Sequence, residues 1–393
     1  MSEFIPFAVP DVGETEIAAV VETMRSGWLT TGPNAAALER EFVAALAANG
    51  PDVERFHGVA VNSATAGLHL ALEALGIGPG DEVIVPTWTF TATAEVVRYL
   101  GATPVIVDVR PDTLNIDVDA AAAAVTTRTK AIMPVHFAGL PVPRGAVADF
   151  AAAHGIRVVE DAAHAHPVRS EGVSVGLGES DAVVFSFYAT KTMTSGEGGM
   201  VVSSNAELTA RMATMRLHGI SRDVFDRYTS TAPSWHYEVI APGFKYNLTD
   251  VAAAMARVQL TRSVPMWERR SGIAAYYDEV LADLPLRLPA RPNHPGTDHA
   301  WHLYTLRLSG DARMGRDEFI QRMSDAGIGC SVHFIPLHHH PYWRVFRGTN
   351  APRLPVADRE FASVFSIPIF SAMTDAQVER VGATVRAVLG GGS

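Results

Sequence analysis

Cysteine is almost absent from this chain: Cys330 is the single cysteine among 393 residues. A disulfide within the chain is therefore impossible, and a cysteine-based metal site is not expected. Proteins of reducing compartments show this composition, so we expect a cytoplasmic location.

Long apolar runs and an excess of positive charge are also missing. No stretch approaches the roughly 20 apolar residues that span a membrane, and no charged-then-apolar leader opens the chain, so we expect neither a membrane anchor nor a secretory signal. The formal net charge of −10 disfavours general nucleic-acid binding. An anionic substrate would depend on local basic groups such as Lys245, Arg216 and Arg222.

Short apolar runs alternate with helical periodicity from residue 60 onward. The runs over 82–85, 104–107 and 130–135 predict strands, with helices between them. This alternation predicts an α/β fold in which a mostly parallel sheet lies between helices. The ligand site of such a sheet lies at the carboxyl ends of its strands.

The two ends of the chain differ from this pattern. Two N-terminal helices are predicted, the first ending before Gly27 and the second beginning at Pro33, and the loop over 28–32 is a candidate substrate wall. After a helix that ends near Leu260, a smaller α+β domain is predicted from helix 267–281, strand 301–308, helix 316–326, strand 330–334 and a helix from Thr374. We therefore expect a large domain over 1–265 and a small one over 266–393.

The most informative segment, FSFYATKTMTSGEGGM over 185–200, places Lys191 between an apolar run and a Gly-rich turn. A lysine amine becomes nucleophilic towards aldehydes when desolvation disfavours its charged form. The glycines of the turn allow the backbone to approach a flat ligand closely. The alternative is a solvated lysine at the end of a strand.

Asp161 follows the apolar run over 156–160, so its carboxylate is expected at the ligand edge of the sheet. A pyridoxal cofactor requires such a group, which keeps the pyridine nitrogen protonated. Alone, Asp161 could be a helix N-cap. With Lys191 at the end of another predicted strand, the cofactor interpretation is favoured.

A helix start in VNSATAGLHLAL, residues 61–72, offers an anion site. The backbone amides of Ala64, Thr65 and Ala66, with the Thr65 hydroxyl, could hold a phosphate at the positive end of the helix dipole. The alternative is an ordinary helix capped by Ser63 that binds nothing.

These segments together resemble the nucleotide-sugar aminotransferases of the DegT family, which are fold-type I enzymes dependent on pyridoxal 5'-phosphate (PLP). The resemblance runs over nearly the whole chain. Besides the segments already quoted, it includes SGWLTTGP (26–33), GDEVIVPTWTFTATAE (80–95), GATPVIVDV (101–109), EDAAHAH (160–166), GFKYNLTDVAAA (243–254) and SVHFIPLHHHPYW (331–343).

The resemblance implies a cofactor role for each matching position. Lys191 matches the Schiff-base lysine and proton carrier, and Asp161 matches the partner of the pyridinium nitrogen. Phe90 matches the aromatic that stacks on the cofactor ring, with Trp88 as the nearby alternative. The remaining cofactor-binding positions are His164 beside the ring hydroxyl and a phosphate cup of Ser186, Ala64, Thr65 and Ala66.

The resemblance also implies a homodimer with shared active sites, because Asn247 matches a residue that reaches the phosphate of the neighbouring subunit's cofactor. Tyr188 departs from the histidine that the family often has three residues before the lysine. The residues expected to contact substrate are Trp28, Thr30, Tyr188, Lys245, His333 and His338.

The cluster of histidines at His333 and 338–340 could suggest a metal site. No set of cysteines or carboxylates with ligand spacing lies near it in the sequence, so we predict no metal.

Retention of the lysine favours transamination, because related dehydratases carry histidine in its place. The resemblance implies a ping-pong cycle in which an amino acid, expected to be L-glutamate, converts PLP to pyridoxamine phosphate (PMP), and a nucleotide-linked keto-sugar then takes the nitrogen at carbon 4. The alternatives are a PLP- or PMP-dependent sugar dehydratase, a 3-keto-sugar aminotransferase and a non-catalytic PLP-binding regulator. A cysteine desulfurase is disfavoured because Cys330 lies in a predicted strand.

Overall fold

The computed structural model describes residues 4–47, 53–220, 237–349 and 351–390. Its α-helices are α1 Glu14–Ser26, α2 Pro33–Ala47, α3 Ala64–Ala74, α4 Ala92–Tyr99, α5 Val118–Ala123, α6 Arg144–His154, α7 Ala206–Met215, α8 Asp250–Leu281, α9 Arg316–Asp325, α10 Pro341–Arg347, α11 Pro355–Phe361 and α12 Asp375–Gly390. Its strands are β1 His57–Val61, β2 Glu82–Pro86, β3 Thr103–Val107, β4 Thr129–Ile132, β5 Arg157–Asp161, β6 Arg169–Ser170, β7 Val173–Ser174, β8 Ala182–Ser186, β9 Gly199–Ser203, β10 Leu286–Arg287, β11 Tyr304–Leu308 and β12 Val364–Ile367. Short 3₁₀ turns cover Val53–Arg55, Phe137–Gly139 and Leu337–His339.

A seven-stranded sheet in the order β1-β9-β8-β5-β4-β2-β3 is the framework of the fold. The neighbours from β8 to β3 are parallel, whereas β9 runs antiparallel to both β1 and β8. The prediction of a mostly parallel sheet is therefore confirmed. Parallel neighbours end at one edge, so the carboxyl ends of β5 and β8 meet there.

Helices cover both faces of this sheet. Alternate strand residues point to opposite sides, and the apolar side chains on each side pack against helices. On β8, Val184 belongs to the core cluster that contains α3, whereas Val183 belongs to the cluster that contains α2. Helix α3 approaches the sheet closely at Gly67, where an added Cβ would lie 2.8 Å from Val184 and 2.9 Å from Val201. This contact fixes the start of α3 beside the carboxyl ends of the strands.

The predicted break between helices near residues 260 and 267 is wrong. Asp250–Leu281 is one helix of 32 residues with Pro265 inside it. Proline lacks the amide hydrogen that an interior helical position donates, but the helix continues through it. The predicted domain boundary between 265 and 266 falls within this helix, so the helix joins the two proposed units.

The C-terminal part contains a three-stranded antiparallel sheet, β10-β11-β12, with α9 and α12. The strand predicted over 330–334 is wrong, because this segment makes only an isolated bridge, from Ser331 to Ser366. Strand β11 begins at Tyr304 rather than 301, since Trp301 has a φ of 51° that a strand residue does not adopt.

The predicted helices near both ends of the chain are confirmed as α1, α2, α9 and α12. Strand β4 ends at Ile132, three residues earlier than predicted, because Pro134 has no amide to continue a ladder. Among the helices that the structure describes, none combines the length and apolarity needed to cross a membrane.

Candidate active site

A cavity of about 690 Å³ lies at the carboxyl edge of the seven-stranded sheet. It is bounded by the end of β5 at Asp161, the end of β8 at Ser186 and the start of α3 at Ala64. Nine residues predicted for the site line it together: Ala64, Thr65, Phe90, Asp161, His164, Ser186, Tyr188, Lys191 and His333. The order of the parallel strands accounts for this convergence, because Asp161 pairs with Val184 across β5 and β8.

The start of α3 supplies amides to one end of the cavity. The Ser63 hydroxyl accepts a hydrogen bond from the Ala66 amide at 3.1 Å, so Ala66 is occupied by the helix cap and does not line the cavity. The amides of Ala64 and Thr65 lie in the first turn, before intrahelical acceptors are within reach. At Gly199 an added Cβ would lie 2.9 Å from the Ala64 nitrogen, so the glycine lets strand and helix start come together.

The Asp161 carboxylate is buried and held by neutral donors. The Thr93 hydroxyl donates to Oδ2 at 2.8 Å, and the Ala163 amide donates to Oδ1 at 3.1 Å. Burial raises the pKa of Asp161 in spite of these two hydrogen bonds. A carboxylate whose charge is so poorly solvated fits a cationic ring nitrogen as its partner.

The Lys191 side chain is half-buried and lies close enough to Asp161 to interact with its charge. Burial lowers the pKa of Lys191 to about 8; the Asp161 charge opposes this shift and the Arg270 charge adds to it. The turn that carries the lysine is closed by a hydrogen bond from its amide to the Tyr188 carbonyl, 3.0 Å long. A substantial fraction of the amine is therefore neutral near pH 8, as a nucleophile for a carbonyl group requires.

Two buried histidines, His164 and His302, and the half-buried His333 lie around Lys191. Burial lowers the pKa of His164 and of His302 well below the ordinary value, and that of His333 to about 4. The rings of His164 and His302 are 4.2 Å apart, and Nε2 of His302 lies 3.5 Å from the Lys191 nitrogen. All three imidazoles are therefore neutral at physiological pH.

His302 and Arg270 were not among the residues predicted for the site. Arg270 is buried on α8 and donates to the carbonyls of Trp301, His302 and Ile369. The sequence does hold a signal for Arg270, since it occupies an apolar position of the helical repeat that also contains Met266 and Ile273. His302 carries no comparable signal.

An aromatic side chain is available at the cavity wall. Phe90 is 60% exposed and lines the cavity, with Phe334 at 6.2 Å between ring centroids. The alternative, Trp88, is fully buried and donates its indole hydrogen to the His333 carbonyl at 3.2 Å. Trp88 is therefore a core residue that cannot stack on a ligand in this cavity.

Four residues predicted to bind substrate or cofactor lie outside the cavity of their own chain. Trp28 donates to the Thr31 carbonyl at 3.1 Å, and Asn247 donates to the Thr31 hydroxyl at 2.8 Å. The Thr30 carbonyl accepts a hydrogen bond from the Asp250 amide. Lys245 is exposed, and its backbone carbonyl accepts a hydrogen bond from the Asn62 side chain. These residues form a second group near the start of α8.

His338 is also outside the cavity. Its Nδ1 lies 2.7 Å from the Thr87 hydroxyl and its Nε2 lies 2.8 Å from Oδ1 of Asp358. Both ring nitrogens therefore have partners within the chain, and neither is available for the expected hydrogen bond to a sugar. Among the basic groups expected to serve an anionic substrate, Arg216 is paired with Glu39 and the Ala60 carbonyl. Arg222 lies outside the described residues.

The cavity therefore holds what PLP needs: helix amides for a phosphate, a buried carboxylate for a pyridinium nitrogen, an exposed aromatic face and a lysine amine of lowered pKa. The combination fits a PLP-binding site on an α/β fold. Comparison with known proteins gives the family.

The chain belongs to the DegT/DnrJ/EryC1/StrS aminotransferase family, whose model matches residues 10–386. It is similar to the spore coat polysaccharide biosynthesis protein SpsC of Bacillus subtilis (strain 168), with 42% identity over 99% of this chain and 98% of SpsC. The protein is a PLP-dependent aminotransferase.

Solved structures agree with this assignment. The aminotransferase TlmJ from Streptoalloteichus hindustanus is 34% identical with a TM-score of 0.88, covering 98% of this chain and 99% of TlmJ. Spr1654 from Streptococcus pneumoniae, in its PLP form, is 33% identical with a TM-score of 0.88 over 99% of each chain, and it is also known in a PMP form. The predicted family, fold type and cofactor are thereby confirmed.

Proposed function

We propose that this aminotransferase moves the amino group of L-glutamate to the keto carbon of a nucleotide-linked sugar, at carbon 4. The observation that carries the proposal is the pair formed by Lys191 and Asp161 at the ends of neighbouring elements in one cavity. The assignment to a sugar is supported by the similarity to SpsC, a polysaccharide biosynthesis protein, and by the motifs at 26–33 and 331–343.

Each group of the cavity has a part in this chemistry. PLP, when bound, supplies an electron sink for the carbon beside the transferred nitrogen. Asp161 holds the proton on the ring nitrogen, and the hydroxyl of Thr93 fixes the orientation of its carboxylate. Lys191, with its pKa lowered to about 8, accepts and returns a proton at Nζ near neutral pH.

The phosphate end and the ring face are served by separate groups. We assign the phosphate to the amides of Ala64 and Thr65 with the Ser186 hydroxyl, the ring face to Phe90 and the ring hydroxyl to His164. Ala66 contributes indirectly, by fixing the Ser63 cap.

Tyr188 and His333 line the cavity beside Lys191, so we assign them to the sugar. Both have polar atoms that can hydrogen-bond sugar hydroxyls, and a neutral His333 can either donate or accept. Their positions limit how far the sugar ring can slide, which decides whether carbon 3 or carbon 4 meets the cofactor.

We also propose that the site is completed by a second copy of the chain. Helix α1 buries Glu16 and Thr23 while it exposes the apolar side chains of Ile17 and Met24, the reverse of what a lone surface helix does. Leu29, in the loop between α1 and α2, is also exposed. A two-fold partner would cover this apolar surface.

The same partner accounts for the predicted site residues that do not reach the cavity of their own chain. Trp28, Thr30, Lys245 and Asn247 lie in or beside segments that contact the start of α8. In a dimer, we assign them to the cavity of the other subunit, with Asn247 at the phosphate of the cofactor bound there.

Three further predictions remain parts of this proposal: the division into two units between residues 265 and 266, the cytoplasmic location and the absence of nucleic-acid partners.

The test uses purified protein in the pyridoxamine form, mixed with matched pairs of nucleotide-linked 4-keto and 3-keto sugars. We expect the absorbance of the PLP form to return fastest with a 4-keto sugar, and mass spectrometry to show an amino sugar. Faster reaction with the 3-keto isomer would assign the protein to the other regiochemistry. A deoxygenated product would indicate a dehydratase, and no reaction with any donor or sugar would indicate a regulator.

A further inference from the structure

We propose that His338, His339 and Asp358 bind one divalent transition-metal ion at the surface of the fold, outside the cofactor cavity. The three side chains offer two imidazole nitrogens and one carboxylate oxygen, all within 4.8 Å of one another. Imidazole and carboxylate are the ligands that Zn²⁺, Co²⁺ and Ni²⁺ accept.

The two histidines converge on a single oxygen atom. Nε2 of His338 lies 2.8 Å and Nε2 of His339 lies 2.6 Å from Oδ1 of Asp358. The 3₁₀ turn Leu337–His339 directs consecutive side chains to the same point, with their rings 4.4 Å apart and inclined at 74°. A tetrahedral zinc ion holds its ligand atoms about 3.3 Å apart, so each nitrogen would withdraw from the oxygen by roughly 0.5 to 0.7 Å. The two nitrogens, which lie within 4.8 Å of each other, would adjust to the same spacing.

The ring nitrogen of His338 that faces away from Asp358 has a hydrogen-bond partner, as is usual for a metal-binding histidine. Its Nδ1 lies 2.7 Å from the hydroxyl of the buried Thr87, whose carbonyl accepts from the Leu337 amide at 2.8 Å. Histidine ligands usually place their second ring nitrogen against such a partner. The Thr87 hydroxyl can donate or accept, so it tolerates the change of tautomer when Nε2 loses its hydrogen to bind an ion.

The outer side of the cluster is open to water. The side chain of His339 is 30% exposed and that of Asp358 is 53% exposed. Water can therefore complete a coordination shell to which the protein contributes three ligands. Arg344 donates to the His339 carbonyl at 2.8 Å, and its positive charge nearby favours a moderate affinity over a very tight one.

An ion at this position would join segments that are distant in the sequence. It would tie the turn at 337–339 to helix α11 and, through Thr87, to the end of β2. The segment leading into that turn carries His333 and Phe334, which line the active-site cavity. The metal would thus stabilise the segment that carries His333 and Phe334 without contacting the cofactor.

The test uses tag-free, PLP-loaded protein from which adventitious metal has been removed with a chelator. Zn²⁺ binding is measured by calorimetry, and Co²⁺ binding by the visible absorbance of the coordinated ion, in the wild type and in three variants. His339→Ala removes one ligand and leaves the contact of His338 with Thr87 intact. Asp358→Asn removes the carboxylate and keeps an oxygen that accepts the same hydrogen bonds. His340→Ala is the matched control, because this neighbouring histidine lies outside the cluster.

We expect one saturable site per chain in the wild type and in the His340→Ala variant, with binding at least about ten-fold weaker in the other two variants. Zinc should also raise the Tm of the wild type and of the control, and not that of the Asp358→Asn variant. Absence of saturable binding in the wild type, or equal binding by folded Asp358→Asn and His339→Ala proteins, would overturn the proposal.

Discussion

Nε2 of His302 lies 3.5 Å from the side-chain nitrogen of Lys191. His302 is buried, and burial keeps its pKa well below the ordinary value, so it is a neutral imidazole. Its carbonyl is held in turn by Arg270. A neutral acceptor at this distance restricts the position of the lysine without changing its charge, which identifies His302 as a positioning residue.

We expect His302→Ala to lower kcat about ten-fold, the size of one lost hydrogen bond to a catalytic group, while cofactor occupancy is retained. His302→Gln, which restores a polar group of similar reach, should recover part of the loss. Steady-state kinetics with cofactor absorbance as the occupancy control provides the measurement. An alanine variant with the kcat of the wild type would show that the contact has no role in positioning.

Asp161→Asn should keep the shape of the site and remove the charge that we propose holds the ring-nitrogen proton. We expect each half-reaction to slow by about 10²-fold or more, as for the loss of a preorganised charge. Stopped-flow absorbance measures the two half-reactions separately. Near-normal rates in a variant with full cofactor occupancy would count against the role of Asp161.

The titration of Lys191 gives a test that needs no substrate. In the cofactor-free protein, acylation of this lysine should rise with pH around a midpoint near 8, because burial disfavours the charged form. The Asp161 charge raises the pKa of Lys191, so Asp161→Asn should move the midpoint to lower pH. Peptide mass spectrometry across a pH series reads the labelling, with the exposed Lys130 as internal control. A midpoint that stays or rises in the variant would contradict the proposed coupling.

The proposed sharing of each site between two subunits predicts complementation between two inactive proteins. Lys191→Ala and Asn247→Ala subunits, mixed under exchange, should form heterodimers in which one of the two sites carries neither change. An equal mixture should then recover about a quarter of the wild-type activity. Native mass spectrometry confirms the exchange. No recovery in confirmed heterodimers would place the whole site in one chain.

The sequence was sufficient to predict the position of the site groups that follow strands. Asp161 and Lys191 follow recognisable apolar runs, and a parallel sheet brings such ends to one edge. Thr93 and His302 could not be predicted in the same way, because their contacts with Asp161 and Lys191 join residues 68 and 111 positions apart. Nothing local to either residue marks the contact.

The same reason applies to the histidines at 338–340. Their sequence neighbourhood lacks a carboxylate, and only the packing of α11 against the 3₁₀ turn brings Asp358 to them, 20 positions from His338. The error at 330–334 has another cause. Alternating polar and apolar residues predict a strand, but a strand needs a neighbour along its length, and here the chain pairs at Ser331 only.

Transfer of isotopically labelled nitrogen from L-glutamate to a nucleotide-linked 4-keto sugar tests the central claim most directly. Wild-type protein should place the label on carbon 4 of the sugar with one 2-oxoglutarate formed for each amino sugar. Lys191→Ala should reduce this transfer by at least about 10²-fold, because the proposed proton carrier is lost. Labelled product from the lysine variant at a rate near that of the wild type, or a sugar product without the label, would contradict the account.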